Sequence, residues 1–354
     1  MASVRGAFVA LSVALLCGAV GCSKSGDGKD QGATIQLSGS GASFPAPLYG
    51  KWFKAYNKLH PNVQVDYQPI GSGGGKTNVI QKKVDFGASD AAMSQEEMAK
   101  VDVGVQLLPM TAGTIVLAYN LDGVDNLKLS REAYVGIFLG TVKKWNAPEI
   151  VKTNPDAKLP DSDINVVVRA DGSGTSYVFS QHLSAISEEF KKSPGTNTQP
   201  NWPVGTKASK NDGVAAAITK SPGSIGYMEY GFAKLNKIKM ASLENKAGKF
   251  VEPTIASGQA ALAGAKLPED LIAWVSDPEG DSSYPIVTYT WIICYKKYDD
   301  AKKVATLKDV LTYCLTEGQK ESEALGYIPL PESVVEKVMA AMANITAAGD
   351  RTAK

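Results

Sequence analysis

The feature that most constrains the fold is a local pattern that the chain uses three times. An apolar or alternating strand, near residues 35, 65 and 165, leads each time into a turn of small residues and then into a helical pattern. The three turns are Ser38–Phe44, Gly71–Gly75 and Arg169–Ser176. In an α/β sheet such turns gather at the carboxyl ends of the strands, where ligands bind. The sequence therefore predicts an α/β fold with one shared site built from these turns.

The turn at 169–176 is the richest in hydrogen-bond donors. The apolar run from Ile164 to Val168 predicts a strand, and a helical pattern that includes Tyr177, His182 and Phe190 predicts a helix behind the turn. Free N–H groups at a helix start attract anions, and an arginine can bind a tetrahedral oxyanion through two N–H groups. An ordinary helix cap beside a surface arginine is the alternative interpretation.

Two further segments fit the same arrangement. Pro45 suits the opening of a helix, and a helical segment is expected to start near Lys76. A short strand from Val84 to Ala88 ends at Asp90, ahead of a capping box formed by Ser94 and Glu97. An arginine and an aspartate at strand ends, with the Gly/Ser turns, predict an oxyanion site; a helix-capping role for Asp90 is the alternative.

The first 33 residues are typical of an exported lipoprotein. Residues 1–22 combine Arg5 with an uncharged apolar run and end in Ala19-Val20-Gly21-Cys22, which resembles a lipobox. We expect a signal peptide that ends at a lipidated Cys22, followed by a flexible tether over 23–33. The mature protein would then be held at a membrane, in the periplasm or outside the cell. A plain secretory signal is the alternative.

Composition narrows the classes of partner. The full chain carries a net charge of +1, which does not favour nucleic acid, and an anion would have to be held by a local site. Export permits a disulfide between Cys294 and Cys314, although two buried thiols fit their apolar surroundings equally well.

The motifs that would indicate an enzyme are incomplete. Gly75-Lys76-Thr77 lacks the glycine that a phosphate-binding P-loop needs five residues earlier, and Ser173 lacks the flanking glycines of a nucleophile elbow. His60 is expected to end a helix beside Pro61, where a cation suits the helix dipole, and His182 falls on a helix and suits a packed position. Neither histidine belongs to a zinc motif, so we expect no enzyme activity, no cofactor and no metal.

Several motifs together resemble one family. They are Gly39-Ser40-Gly41-Ala42-Ser43-Phe44-Pro45-Ala46-Pro47-Leu48-Tyr49, Tyr67 to Gly75, Val84 to Asp90, Arg169 to Ser176, Asn211-Asp212-Gly213 and Gly226 to Tyr230. In this order they are similar to the periplasmic phosphate-binding proteins that serve the phosphate ABC importer. Gly73 stands where that family often has a second serine.

The resemblance implies a role for each site residue. Asp90 would accept a proton that bound phosphate still carries, Arg169 would pair with phosphate oxygens, and Asp171 would orient Arg169 by a salt link. Phe44 would contribute its backbone N–H while its ring packs. The phosphate-binding residues implied are Ser43, Phe44, Ser72, Asp90, Arg169, Ser173, Gly174 and Thr175.

The resemblance also implies a two-lobed fold of the type II periplasmic-binding-protein kind, with phosphate in the cleft. Residues 34–112 and 285–354 would form lobe 1 and residues 113–284 lobe 2, with crossings near Pro109–Thr111 and Tyr284–Thr288. The implied partners are inorganic phosphate and the membrane permease subunits of the importer, bound by a monomer that touches the membrane only through its lipid anchor. The alternatives are a protein for another oxyanion, such as sulfate or molybdate, and a lipid-anchored phosphatase.

Overall fold

The computed structural model describes residues 33–348. The expected signal peptide, the lipidated Cys22 and the tether over 23–33 lie outside these residues, apart from Ala33. The strands are β1 (Ile35–Gly41), β2 (Val63–Pro69), β3 (Phe86–Ser89), β4 (Val105–Asn120), β5 (Lys128–Leu129), β6 (Asn165–Arg169), β7 (Thr206–Ala208), β8 (Ser224–Glu229), β9 (Lys239–Met240), β10 (Ser242–Glu244), β11 (Phe250–Val251), β12 (Val287–Tyr295), β13 (Lys297–Tyr298) and β14 (Thr346–Ala347).

The helices alternate with these strands, as the strand–turn–helix pattern predicts. They are α1 (Ala46–Leu59), α2 (Ser72–Ile80), α3 (Gln95–Ala99), α4 (Arg131–Leu139), α5 (Pro148–Val151), α6 (Gly174–Ile186), α7 (Glu188–Lys192), α8 (Lys210–Lys220), α9 (Tyr230–Leu235), α10 (Ile255–Leu262), α11 (Ala301–Leu315), α12 (Ser322–Leu325) and α13 (Glu332–Ala341). Short 3₁₀ turns cover Glu317–Glu321 and Met342–Asn344.

One nine-stranded sheet organises the molecule, in the order β2-β1-β3-β12-β4-β8-β6-β7, with β9 also paired to β4. The long strand β4 pairs with β12 through its first part and with β8 through its second. Both pairings are antiparallel, whereas β1 is parallel to β2 and β3, and β6 is parallel to β7 and β8. The predicted α/β class is confirmed.

The strand directions make the carboxyl ends of β1, β2 and β3 face the carboxyl ends of β6 and β8. The strand β3 runs in the same direction as β4, since each is antiparallel to β12 between them, and β6 and β8 run in the opposite direction. The carboxyl end of β3 lies level with Pro109, and that of β8 lies level with Ile115. The turns that follow both sets of strands therefore meet beside the middle of β4.

An irregularity interrupts the long β4–β12 ladder at this level. Thr290 pairs with Thr111, but the next residue, Trp291, pairs with Pro109, so Met110 has no partner across the ladder. Proline has no N–H to donate, and within sheets it is found at such bulges. The bulge lies inside the segment where the sequence predicts the first crossing between lobes.

Two predicted helices have different bounds in the structure. The expected start of α2 near Lys76 is wrong, since the helix begins at Ser72; Gly71, with φ of 91°, makes the sharp turn that a side chain would resist. The helix predicted to include both Tyr177 and Phe190 ends at Ile186. Ser187 then caps the separate helix α7, where its hydroxyl accepts a hydrogen bond from the Phe190 N–H.

Candidate functional site

The structure brings the predicted site residues together from distant parts of the sequence. Ser43 follows β1, Ser72 opens α2, Asp90 follows β3 and Arg169 ends β6. Each has a relative exposure of 4% or less. The grouped residues are Ser43, Phe44, Ser72, Asp90, Arg169, Asp171, Ser173, Gly174 and Thr175.

Arg169 is held by a carboxylate on its own turn. Its Nε donates to Asp171 Oδ1 at 2.9 Å and its Nη2 to Asp171 Oδ2 at 2.6 Å, a two-point pairing that fixes the guanidinium plane. Although burial raises the pKa of Asp171, the hydrogen bonds and charge of Arg169 hold it below its usual value. Arg169 Nη1 is buried and has no hydrogen-bond partner among residues 33–348, so one strong donor stays available at a fixed position.

Ser43 accepts hydrogen bonds from two residues on the opposite side of the site, Arg169 and Asn211. Its Oγ accepts from Arg169 Nη2 at 3.2 Å, from Asn211 Nδ2 at 3.0 Å and from the Asn211 N–H at 3.3 Å. A hydroxyl oxygen that is crowded by donors must point its own hydrogen elsewhere. Ser43 is therefore arranged as a donor toward the site.

Asn211 is absent from the residues predicted for the site. Besides its two bonds to Ser43, its Nδ2 lies 3.5 Å from Thr175 Oγ1, and its Oδ1 accepts from the Glu229 N–H at 3.0 Å. It thus links the turn after β1 to α6 and β8. The sequence carried a signal, because Asn211-Asp212-Gly213 is one of the motifs that carry the family resemblance.

Asp90 supplies the acceptor of the site. Its Oδ1 accepts from Thr290 Oγ1 at 2.8 Å, its N–H donates to Ser72 Oγ at 3.1 Å, and its Oδ2 lies 3.5 Å from that hydroxyl. Burial raises the pKa of Asp90 to about 7, against the opposing effects of the Thr290 hydrogen bond, the Arg169 charge and the Ser72 hydrogen bond. The carboxyl group consequently changes charge near neutral pH.

Four helices begin at the site and turn their N–H groups toward it. Phe44 precedes α1, Ser72 and Gly174 are the first residues of α2 and α6, and Asn211 lies in the first turn of α8. The first N–H groups of a helix have no partner within it, and the helix dipole favours an anion there. The Phe44 ring is fully buried, as expected, and its carbonyl accepts from the Tyr327 hydroxyl at 2.7 Å.

Ser173 has a narrower role than the one predicted. Its N–H donates to the Thr198 carbonyl at 2.9 Å, and its Oγ accepts from the Ser176 N–H at 3.0 Å as the cap of α6. Its amide is therefore already used, because the chain near Thr198 folds against this turn. The hydroxyl hydrogen of Ser173 and the N–H groups of Gly174 and Thr175 are the donors that this turn offers.

The turn after β2 is in direct contact with the turn after β6. The Gly73 N–H donates to the Gly172 carbonyl at 2.8 Å. A Cβ added at Gly174 would lie 2.7 Å from both Cβ and Oδ2 of Asp90, which is too close for any side chain. The backbone of α6 therefore comes directly against the acceptor carboxylate.

A second buried carboxyl group lies behind the site. Glu229, at the end of β8, is fully buried, and its Oε1 accepts from the Gly231 N–H at 2.7 Å. Burial raises the pKa of Glu229 well above its usual value, so burial favours its neutral form. Glu229 is absent from the residues predicted for the site, although it lies in the motif Gly226 to Tyr230 that contributes to the family resemblance.

The histidines and cysteines have structural positions. His182 is buried, its Nε2 lies 2.9 Å from the Tyr134 hydroxyl, and burial lowers its pKa to about 3. Cys294 and Cys314 are free and buried, so the structure favours the second of the two arrangements left open for them. Within residues 33–348 there is no group of three or more His, Cys, Asp or Glu side chains that could hold a metal ion.

The site has the chemistry of an anion-binding site, in which many hydrogen-bond donors surround one acceptor, the Asp90 carboxylate. Backbone N–H groups and hydroxyls at the starts of α1, α2 and α6 lie together with one arginine N–H from the end of β6, and Asp90 stands among them. The charge of Arg169 is balanced by Asp171, so an anion here would be held by hydrogen bonds rather than by surplus charge. A tetrahedral oxyanion that carries a proton satisfies both the donors and the acceptor.

The fold and this site define a periplasmic-type binding protein, and the model of the PBP superfamily domain matches residues 28–317. More narrowly, the chain belongs to the family of the phosphate-binding protein PstS. The protein of that name from Pasteurella multocida is 41% identical over 308 residues, which are 86% of this chain and 89% of the relative. The one from Xylella fastidiosa is 34% identical over an alignment of 360 positions, which covers 95% of this chain and 98% of the relative.

A solved structure shows the same fold. A high-affinity periplasmic phosphate-binding protein in complex with phosphate superimposes with a TM-score of 0.70 at 21% sequence identity, over 86% of this chain and 93% of that one. The predicted periplasmic-binding-protein fold is confirmed. No helix within residues 33–348 is long and apolar enough to cross a membrane.

Proposed function

We propose that this protein binds inorganic phosphate with high affinity and delivers it to a phosphate ABC importer. The observation that carries the proposal is one buried site that holds both the unpaired Arg169 Nη1 and the acceptor Asp90. Membership of the PstS family supports the same ligand. The proposed ligands are the hydroxyls or amides of Ser43, Phe44, Ser72, Ser173, Gly174 and Thr175, together with Arg169 and Asp90, with Asp171 orienting Arg169.

Affinity arises from many directed hydrogen bonds. A buried phosphate must regain in the site what it loses in hydration, and each hydrogen bond to a charged group contributes roughly 1.5–3 kcal/mol. The pairing of Arg169 with Asp171 keeps the guanidinium in one orientation, so little side-chain freedom is lost when phosphate binds.

Selectivity arises from Asp90. Phosphate near pH 7 carries at least one proton, which the ionised carboxylate can accept, whereas sulfate carries none and would place two negative groups in contact. A site that hydrogen-bonds a ligand O–H rejects the analogue that lacks it by up to about 10⁴–10⁵. Arsenate, which is tetrahedral and protonated at similar pH, should bind.

Transport needs the site to open and close. We propose that the described residues 34–112 and 285–348 move as one lobe and residues 113–284 as the other, about a hinge in β4 and β12. The bulge opposite Thr290 interrupts the ladder that joins these strands, which supports bending there. The protein would release phosphate to the permease subunits of the importer and would act as a monomer, not as an enzyme.

We further propose that the protein works outside the cytoplasm, in the periplasm or at the cell surface. Residues 1–22 would direct export, Cys22 would carry the lipid anchor, and residues 23–33 would tether the binding domain to the membrane.

Calorimetry with phosphate, arsenate and sulfate tests the function. We expect tight binding of phosphate and arsenate and weak binding of sulfate at pH 8. Arg169→Ala and Asp90→Asn should each reduce phosphate affinity at least 100-fold, and Asp90→Asn should also narrow the difference between phosphate and sulfate.

Asp85→Asn is the matched control, because Asp85 precedes β3, at the end far from the site, and binds Ser38 and Lys303. It should leave the phosphate affinity unchanged. Affinity close to that of the wild type in both site variants would refute the assignment, as would preferential binding of sulfate by the wild type.

A further inference from the structure

We propose that Thr290 is a positioning residue that fixes the orientation of the Asp90 carboxyl group toward the bound anion, and that it thereby sets the discrimination between protonated and unprotonated oxyanions. The proposal rests on the proposed phosphate site and adds a residue from β12, the strand that returns the chain to the first lobe. Sequence reasoning assigned no site residue to this strand.

The strand register brings Thr290 to Asp90. The strand β12 lies between β3 and β4, and on the β3 side Trp291 pairs with Ser89 and Ile292 with Ala88. One residue further along this antiparallel register, Thr290 stands opposite Asp90, the first residue after β3. Thr290 is fully buried, and its Oγ1 donates to Asp90 Oδ1 at 2.8 Å.

A bulge in β4, on the other side of β12, lies at the level of Thr290. The ladder between β12 and β4 shifts between Thr290 and Trp291, opposite Pro109, which has no N–H for it. Bulges beside binding sites change the direction of a side chain. Here the shift coincides with the residue whose hydroxyl reaches the carboxylate.

The two oxygens of Asp90 consequently have different surroundings. Oδ1 is occupied by Thr290, whereas Oδ2 lies 3.5 Å from Ser72 Oγ, beside the first residue of α6. Since Ser72 and Gly174 are themselves proposed ligands, Oδ2 is the atom that faces the anion. The hydrogen bond from Thr290 holds the Asp90 carboxyl group in the orientation that presents one oxygen to the site.

Given the ionisable groups around Asp90, the pKa of its carboxyl group depends strongly on the hydrogen bond from Thr290. Burial raises the pKa values of the nearby Glu229 and of Tyr49, Tyr67 and Tyr327 well above their usual values. Arg169 favours the ionised carboxylate and Asp171 opposes it. The hydrogen bond from Thr290 is the foremost of the influences that lower the pKa of Asp90 against burial.

Loss of the Thr290 hydroxyl should therefore let Asp90 keep its proton to higher pH. A protonated Asp90 can donate a hydrogen bond to sulfate, which the ionised form repels. The expected result is a protein that still folds and still holds phosphate but discriminates less well against sulfate.

Three variants separate this role from a packing role. Thr290→Val removes the hydroxyl and keeps the shape, and Thr290→Ser keeps the hydroxyl. Thr288→Val is the matched control, because Thr288 lies on the same strand, is also buried, and donates to the Tyr289 carbonyl at 2.8 Å instead of to the site. If Thr290→Val does not fold, Thr290→Ala replaces it, since alanine also lacks the hydroxyl.

The first measurement uses the protein without anion. Difference infrared spectroscopy follows the protonated carboxyl band that Asp90→Asn removes, as a function of pH. We expect Thr290→Val to move its titration upward by about one pH unit, and Thr290→Ser and Thr288→Val to leave it near the wild-type position. An unchanged titration in Thr290→Val would overturn the proposal.

The second measurement is calorimetry with phosphate and sulfate at pH 8. Thr290→Val should lower the ratio of phosphate to sulfate affinity by about tenfold, which is about 1.4 kcal/mol, while Thr288→Val keeps the ratio. An equal loss in both valine variants would show a packing effect and refute the role. If the wild type binds no phosphate, the proposed function is refuted. The infrared titration still decides whether Thr290 sets the pKa of Asp90.

Discussion

At the scale of single residues, Asp90 shows how binding and stability oppose each other. Its carboxyl group is 1% exposed, and burial raises its pKa to about 7 from an ordinary value of 3.8. The folded protein therefore binds this proton more tightly than the unfolded chain does. The contribution of Asp90 to the free energy of unfolding is highest below pH 4, declines as the pH rises to about 7, and stays low above that.

Asparagine at position 90 should remove this dependence. We expect Asp90→Asn to be more stable than the wild type at pH 8, by about 2–4 kcal/mol, and the two proteins to converge near pH 4. Urea unfolding at several pH values, without phosphate, measures the difference. A variant that is no more stable than the wild type at pH 8 would contradict the expected cost of the buried charge.

At the scale of secondary structure, the start of α6 decides whether the two sets of turns can meet. Gly174→Ala would place a Cβ 2.7 Å from Cβ and Oδ2 of Asp90. The clash lies between two turns that can separate, so we expect little change in the stability of the fold and at least a 100-fold loss of phosphate affinity. Calorimetry and thermal unfolding of the same preparation measure both quantities.

Gly213→Ala is the control for this helix-start substitution. Gly213 lies in α8, and a Cβ there would lie 3.8 Å from the nearest neighbouring atom, in Ala208, which is an ordinary contact. It should bind phosphate as the wild type does and gain up to about 1 kcal/mol of helix stability. Equal binding by both alanine variants would show that the contact at Gly174 does not control closure.

The sequence predicts the strands, helices and turns that carry the site better than it predicts the contacts between residues that are distant in sequence. The order of strands and helices, the capping box of Ser94 and Glu97, and the turns that carry Asp90 and Arg169 follow from local pattern, because each depends on neighbouring residues. Thr290 lies 200 residues from Asp90, and Asn211 lies 168 residues from Ser43. Their roles depend on strand order and register, which local periodicity does not determine.

At the scale of the whole molecule, two strands connect the proposed lobes, and we expect them to bend. Phosphate should reduce the radius of gyration measured by small-angle X-ray scattering, because it favours the arrangement in which Gly73 and Gly172 touch. Gly174→Ala should keep the larger value at the same phosphate concentration. A wild-type radius that does not change with phosphate would refute closure about β4 and β12.

The ion pair between Arg169 and Asp171 has a consequence for the conditions in which the protein can work. The cation of the site is balanced by a carboxylate 2.6 Å away, and the whole chain carries a net charge of only +1. Dissolved salt weakens long-range attraction between charges, and here little such attraction exists to be weakened. Capture of phosphate should therefore proceed almost equally well in dilute and in saline surroundings.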